Sequence, residues 1–426
     1  MPMSANEPRL RRRPSFLNWV KQGARRVKVA TPGVRDRLRR QRGSETSLFT
    51  AVTRVVLGAV VILALLVPLV RWYTTGEWRW LPEPTSESPG SIEVLKLAAT
   101  LVAGLGGIVA LTVAYRKQRE QEVRRDSVRF DAAAQQLGSD DGAIRLAGVY
   151  AATALADESD RLRSAVVQLL CAYLRLNRGD DGPVQQTILE AIASRTAATS
   201  DSSSWSTYDL DLHGVVISDR LSWSGCKFDG RVNFEGARFE HEVQFVVSRF
   251  RGPLILSNAQ FNREWMLFYG TFSDTVLLNG ASFAGPVNAI DATFAGGLQA
   301  SSTEFKRGAI FSKSRFPNGA VFSGAKFSSA WFDNCVFARG ADGQQTSAVH
   351  NGDAHFRDAR FSGEASFDGA TFLSKGLFDS AHFEVSPHFE SANFADGGSI
   401  DGAQFPGEIP VALRSFGRSG KGKKRG

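Results

Sequence analysis

Side chains that could take part in catalysis or metal binding are few in this sequence of 426 residues, which contains only six histidines. His350, Asp353 and His355 are close enough in the chain to bind one metal ion, because imidazole and carboxylate groups are common metal ligands. They flank a polar segment, however, and nothing around them resembles a supporting hydrogen-bonding shell. We therefore interpret them as surface residues and predict no metal site and no cofactor.

Other reactive patterns are also missing from the sequence. It contains no nucleophile elbow, no zinc-ligand spacing and no phosphate-binding loop. Gly104-Leu105-Gly106-Gly107 lies in an apolar stretch, where its glycines favour close helix packing over phosphate binding. Cys171, Cys226 and Cys335 offer no disulfide framework, which is typical of a reducing compartment. The sequence predicts a protein without catalytic residues that is not an enzyme.

A repeat of phenylalanine organises the second half of the chain. These residues recur every eleven positions, and a second apolar series that begins at Phe234 and Phe245 follows each member by six residues. Large side chains thus alternate at intervals of six and five, and a short fixed period of this kind predicts a solenoid. The predicted core phenylalanines are Phe228, Phe239, Phe250, Phe261, Phe272, Phe283, Phe294, Phe305, Phe316, Phe327, Phe361, Phe372, Phe383, Phe394 and Phe405.

A right-handed coiled coil is the helical alternative, because it also has an eleven-residue period. The residues between the phenylalanines are largely Gly, Asp, Asn, Ser and Thr, which disfavour helix interiors. Gly236, Gly280 and Gly324 each begin a Gly-Ala-x-Phe unit, so a helix would carry a costly glycine in most repeats. Short strands joined by tight turns fit the pattern better.

A small residue stands two positions before most of these phenylalanines, as in Ala237-Arg238-Phe239. In this feature, residues 207–410 resemble the pentapeptide-repeat proteins. The resemblance implies a right-handed quadrilateral β-helix with four faces per coil, in which the central and the small residues both point inward. A sixth residue in every second repeat gives about 22 residues per coil and roughly nine coils. The small inward positions that it implies are Ala237, Ala259, Ala281, Ala292, Ala325, Ala359, Ala370, Ala381, Ala392 and Ala403.

Two apolar stretches precede the repeat. Residues 48–70 and 93–115 each approach the length of about 20 residues that crosses a bilayer. Trp72, Tyr73, Trp78 and Trp80 follow the first stretch, as an aromatic belt would. We predict two transmembrane helices; the alternative is a pair of helices buried in a soluble domain.

Charge predicts the orientation of these helices. Residues 1–47 carry 13 Lys or Arg against three acidic residues, and basic residues also follow the second stretch. A two-pass protein of the inner (plasma) membrane, with both termini and the solenoid in the cytoplasm, is therefore predicted. The basic, disordered arm and tail would contact the bilayer and its anionic lipids. Nucleic acid is disfavoured as a partner, because the arm has few aromatic residues to stack on bases.

Helical periodicity marks a connector between the apolar stretches and the repeat. Residues 136–139 and 145–151 resemble the segment before the repeats in two-span membrane members of the pentapeptide-repeat class. The predicted organisation is a basic arm (1–47), two transmembrane helices (48–115), a helical connector or cap (116–204), the solenoid (205–410) and a basic tail (411–426).

A long surface without reactive groups suggests recognition. We predict a membrane-anchored cytoplasmic solenoid that binds or scaffolds an unidentified protein partner, with a homo-oligomer as a further form of association. There are two alternatives. The family resemblance implies one of them, a DNA-mimicking topoisomerase-interacting protein. The other is the assembly domain of a small membrane channel or signalling protein. The polar loop 338–353 is either a binding feature or a tolerated insertion. The residues expected in exposed columns are Asp229, Glu235, Arg238, Glu240, Asp368, Asp379 and Glu384.

Overall fold

The computed structural model describes residues 72, 89–177, 179, 181–197, 204–338 and 352–416, with the backbone alone at most positions of 89–105. The chain divides into two compact units, residues 1–127 and residues 128–426. The helices are α1 (Pro89–Leu137), α2 (Gly142–Glu158), α3 (Asp160–Leu174) and α4 (Gly182–Thr196). A short 3₁₀ helix, Val411–Leu413, follows the last strand. The predicted arm and most of the predicted tail lie outside the described residues.

The prediction of two transmembrane helices requires correction. Across the part of the chain that the structure describes, no helix combines the length and the apolar character needed to cross a membrane. The second predicted span, residues 93–115, is not a helix of its own but the beginning of α1, a helix of 49 residues. That helix continues without interruption into a strongly charged segment that begins at Arg116. The first predicted span, residues 48–70, lies outside the described residues.

Residues 210–405 form the predicted β-solenoid with about 22 residues per coil. Successive strands on one face are parallel and pair at intervals of 22 residues, as in Leu210 with Val232 and Lys227 with Arg249. Nine strands stack on the first face, so about eight turns separate its first strand from its last, against the roughly nine coils predicted from the sequence. The chain passes through four faces in each coil.

Each face is a stack of strands that are mostly two residues long. The first face contains Leu210–Asp211, Val232–Asn233, Leu254–Ile255, Val276–Leu277, Leu298–Gln299, Ala320–Val321, Ala354–His355, Gly376–Leu377 and Gly398–Ser399. The second contains Val216–Ile217, Arg238–Phe239, Gln260–Phe261, Ser282–Phe283, Arg360–Phe361 and His382–Phe383. The third contains Leu221–Ser222, Val243–Gln244, Trp265–Met266, Val287–Asn288 and Ala365–Ser366. The fourth contains Lys227–Phe228, Arg249–Phe250, Thr271–Phe272, Thr293–Phe294, Arg315–Phe316, Val336–Phe337, Thr371–Phe372 and Asn393–Phe394.

Two longer strands, Glu304–Ile310 and Lys326–Trp331, join the second face to the third. Their pairing shifts register between Phe305 and Gly308, because the later strand is one residue shorter at this corner. The ring of Trp331 lies over Gly308, where a Cβ atom would come within 2.8 Å of it. The sheet is therefore continuous around this corner in the fifth and sixth coils.

Stacked phenylalanine rings fill the interior. Thirteen of the fifteen predicted core phenylalanines are at most 2 % exposed, while Phe394 and Phe405, near the C-terminal end, are partly buried. Ring centroids in neighbouring coils are 5.1 Å apart for Phe283 and Phe305 and 4.7 Å apart for Phe305 and Phe327, with planes within 3°. This distance matches the separation of about 4.8 Å between adjacent strands, so one ring per coil forms a continuous aromatic column.

The alternation of five and six residues has a structural cause at the corners. The five-residue steps contain a β-turn, such as Phe234–Ala237, in which the Ala237 amide donates to the Phe234 carbonyl at 3.0 Å and Gly236 has a φ of 63°. The six-residue steps place the additional residue in a bend, as at Glu240 and His241. Where such a bend brings successive coils close together, glycine is required: a Cβ on Gly252 would lie 2.4 Å from the carbonyl oxygen of the preceding coil.

Helices α3 and α4 cover the first coil. The Asn177 side chain, just after α3, donates to the Gly214 carbonyl at 3.0 Å and accepts from the Val216 amide at 2.7 Å. The Gln185 amide on α4 donates to the Val216 carbonyl at 2.8 Å and accepts from the Ser218 amide at 2.9 Å. These side chains satisfy backbone groups that would otherwise form an open sheet edge.

Candidate interaction surface on the third face

The structure describes two of the three side chains that the sequence suggested as metal ligands. His355 is half-buried on the first face, and the Asp353 carboxylate accepts from the Lys375 amide at 3.1 Å, while His350 lies outside the described residues. In the described ranges, no three His, Cys, Asp or Glu residues are placed to hold a metal ion. Burial raises the pKa of the Cys171 thiol to about 12 and that of the Cys335 thiol still further, so neither is a ready nucleophile.

The predicted small inward positions line the interior. Eight of the ten alanines are fully buried, and Ala392 and Ala403 are partly buried because fewer coils cover them. Sequence reasoning missed a second set of core residues, which on the first and third faces precede the central residue by two positions. Their signal in the sequence is a large apolar residue every 22 positions. They include Val232, Val243, Leu254, Trp265, Val276, Val287 and Leu298.

Several charged residues outside the core form ion pairs between coils. Arg220 pairs with Glu242 at 2.7 Å, and Lys326 pairs with Glu304 at 2.7 Å, each across 22 residues. Of the predicted exposed columns, Arg238 pairs with Glu240 on the second face, and the side chain of Asp229 is only 19 % exposed. Asp379 and Glu384 also pair with arginines, Glu235 is exposed, and Asp368 is half-buried. Ion pairs therefore neutralise most of the charged residues predicted to form exposed columns.

The third face differs from the first at its turns, where it carries large apolar residues. Val247 and Tyr269 are 55 % and 62 % exposed, and the remaining members of the group are half-buried. At the equivalent turn of the first face stand polar residues such as Ser257 and Asn258. We call this group the third-face patch; it consists of Val246, Val247, Met266, Phe268, Tyr269, Ile290, Ile310 and Trp331. Contiguous exposed apolar surface on a folded protein marks an interaction site more often than isolated apolar residues do.

Two members of the patch hold an unfavourable backbone conformation. Val247 and Tyr269 have φ angles of 58° and 57°, in the left-handed region. The equivalent positions of most other turns carry Gly, Asn, Asp or Ser, which tolerate this region better. Because a β-branched residue is especially disfavoured there, folding alone does not account for a valine at this corner. This backbone strain therefore favours a functional role for the exposed side chains of Val247 and Tyr269.

We expect the substitution Val247→Asn to raise the free energy of unfolding by about 1 kcal/mol, because asparagine adopts a positive φ at lower cost and the lost valine is mostly exposed. Urea denaturation of the full chain followed by circular dichroism measures the change. The matched control is Asn258→Val at the equivalent turn of the first face, where φ is also 58°; it should lower the stability by a similar amount. No stabilisation by Val247→Asn would contradict the strain.

Comparison of the chain with protein-family models, with curated proteins and with solved structures produced no match. The resemblance to the pentapeptide-repeat proteins therefore stays a prediction. The observed fold, a repeat β-solenoid, is compatible with a protein-interaction module.

Proposed function

We propose that this solenoid is a protein-recognition module, without a catalytic role, that binds a protein partner through the third-face patch. The observation that carries the proposal is the exposed pair Val247 and Tyr269, which occupy neighbouring turns of one face and hold a strained backbone conformation. Tyrosine and tryptophan are the residue types that most often dominate binding energy at interfaces, and Tyr269 and Trp331 lie in the same patch.

The rigidity of the scaffold supports the same function. The backbone hydrogen-bond ladder between coils is continuous beneath the patch: the Val247 amide donates to the Phe268 carbonyl at 2.8 Å, and the Tyr269 amide to the Ile290 carbonyl at 3.2 Å. A surface that is already ordered loses little conformational entropy when a partner binds. The DNA-mimic alternative receives less support, because arginine and lysine pair with many of the exposed carboxylates.

Site-specific photo-crosslinking in the native host tests the proposed function. The full chain carries a photoreactive amino acid either in place of Tyr269 or, as the control, in place of Asn258 at the equivalent turn of the first face. We expect a discrete crosslinked adduct from position 269 and none of the same mass from position 258. An adduct of twice the mass of the chain would identify the partner as a second copy. The same adducts from both positions, or none from position 269, would contradict the proposal.

A further inference from the structure

The third face carries a straight row of outward side chains that extends beyond the patch. Each member follows the central residue of its strand, and from the second coil onward its carbonyl accepts a hydrogen bond from the turn residue of the preceding coil. Donor and acceptor are 2.8 Å apart for the Lys313 amide and the Asp333 carbonyl, and 2.7 Å apart for the Gly369 amide and the Glu390 carbonyl. We call this the third-face row; it consists of Ser224, Val246, Phe268, Ile290, Ser312, Asp333, Asp368 and Glu390.

The chemistry of the third-face row changes along the solenoid. Three apolar residues occupy the second to fourth coils, a serine stands in the fifth, and three carboxylates occupy the sixth to eighth. Asp333 accepts hydrogen bonds from the hydroxyls of Ser312 and Ser366, and Asp368 accepts from the Glu390 amide at 2.6 Å. Within the described residues, none of these three carboxylates forms an ion pair, although Lys313 stands beside the row in the fifth coil.

Asp333, Asp368 and Glu390 stand in three successive coils of one row, and no basic residue pairs with them among the described residues. Acidic residues such as Glu242 and Glu304 have an arginine or lysine of a neighbouring coil within 4 Å. In the third-face row, like charges stack in successive coils about 4.8 Å apart and repel one another. A cationic partner would relieve this repulsion, whereas the first half of the row requires apolar contacts. The row is therefore complementary to a ligand that is apolar at one end and basic at the other.

The spacing of the row indicates the shape of that ligand. Coils repeat about every 4.8 Å, whereas side chains on one face of an extended strand repeat about every 6.6–6.8 Å. On one face of an α-helix, residues three or four apart are separated by about 4.5–6 Å along the axis. A helix parallel to the solenoid axis can thus place one side chain over each coil, and an extended peptide cannot keep this register.

From these observations, and resting on the proposed function, we infer that the partner presents an amphipathic helix whose apolar stripe covers Val246, Phe268 and Ile290 and whose basic residues pair with Asp333, Asp368 and Glu390. The centres of the two halves, Phe268 and Asp368, are four coils apart, or about 19 Å. At about 1.5 Å per residue, the apolar and basic centres of the helix are separated by about 13 residues.

Binding of designed helical peptides to the full chain, followed by fluorescence anisotropy, tests the inference. The probes carry a leucine stripe in one half and a lysine stripe in the other, in both chain directions. Control probes have glutamate in place of lysine, or the same composition in scrambled order. We expect one direction of the leucine–lysine probe to bind, with an affinity that falls as salt is added, and the glutamate and scrambled probes to bind at least tenfold more weakly, or not at all.

Variants of the row separate its two halves. Replacing both Asp368 and Glu390 by their amides should weaken binding about fivefold and reduce the salt dependence. Phe268→Ser should weaken it about tenfold and leave the salt dependence in place. Glu235→Gln, at the equivalent position of the first face, is the matched control and should have no effect. Thermal unfolding of each variant confirms that the fold is retained, and Glu390→Gln alone, on an exposed side chain, provides a second test if the double variant is destabilised.

Equal binding of the lysine and glutamate probes, or an unchanged affinity in the carboxylate variants, would overturn the inference. The crosslinking experiment distinguishes failure of this inference from failure of the proposed function. If crosslinking at position 269 yields a partner while no helical probe binds, the recognition function stands and the helical, basic ligand is wrong. If neither experiment shows binding, both proposals fall.

Discussion

Replacing Phe327 by alanine is expected to lower the free energy of unfolding by about 3–5 kcal/mol. The ring is 1 % exposed and stacks between those of Phe305 and Phe361, with centroids 4.7 and 4.9 Å away. Its removal leaves a cavity in the aromatic column, and because neighbouring coils are held at the strand spacing, the column cannot collapse to fill it.

Urea denaturation of the full chain measures the effect of Phe327→Ala, with far-ultraviolet circular dichroism reporting on the sheet. Phe327→Leu should have a smaller effect, because it preserves most of the volume. Tyr269→Ala, on the exposed third-face patch, should change stability little. A loss below about 1 kcal/mol for Phe327→Ala would contradict a tightly packed column.

The second large effect is expected in the helical region, from Asp181→Ala, with a loss of about 3–5 kcal/mol. Asp181 precedes α4 and forms a buried ion pair with Arg145 of α2, whose Nε and Nη2 atoms lie 2.9 and 2.8 Å from Oδ1. The Tyr173 hydroxyl donates to the other carboxylate oxygen. Removing the carboxylate takes the Asp181 charge from a guanidinium group that stays inside the protein, which is far costlier than losing an exposed pair.

The matched control for Asp181→Ala is Asp157→Ala. Asp157 pairs with Arg195 at 2.6 Å, but its side chain is 39 % exposed, so its loss should cost less than about 1 kcal/mol. The loss of α-helical circular dichroism on heating measures both variants. Equal destabilisation by the two substitutions would show that the buried pair has no special role in holding α4 against α2.

These two predictions concern the parts of the molecule that hold the third-face patch in place. The aromatic column sets the spacing of the coils, and α4 covers the coil at which the stack begins. Val247→Asn differs from both, because we expect it to stabilise the fold while it removes part of the proposed binding surface. A substitution that raises stability and weakens binding is expected at a residue that is retained for recognition.

The β-solenoid was predictable because its determinants are local and repeated. Phe283, Phe305 and Phe327 occupy the same environment in successive coils, so one pattern appears many times in the sequence. Turn residues such as Gly236 mark the corners for the same reason. The prediction of a separate transmembrane helix at residues 93–115 was wrong: these residues belong to the longer helix α1, and no helix of the described residues has the length and apolar character to cross a membrane.

The sequence by itself thus determined the repeat, the strand-and-turn character and the inward phenylalanines, since each depends on residues within about eleven positions of one another. Only the tertiary structure decided which outward residues become neighbours. Val246, Phe268 and Ile290 are 22 residues apart and form a row because each coil closes after four faces. The stacking of the coils also decides whether an outward residue has apolar or acidic neighbours. The third-face patch is a property of that stacking, which no local window of the sequence contains.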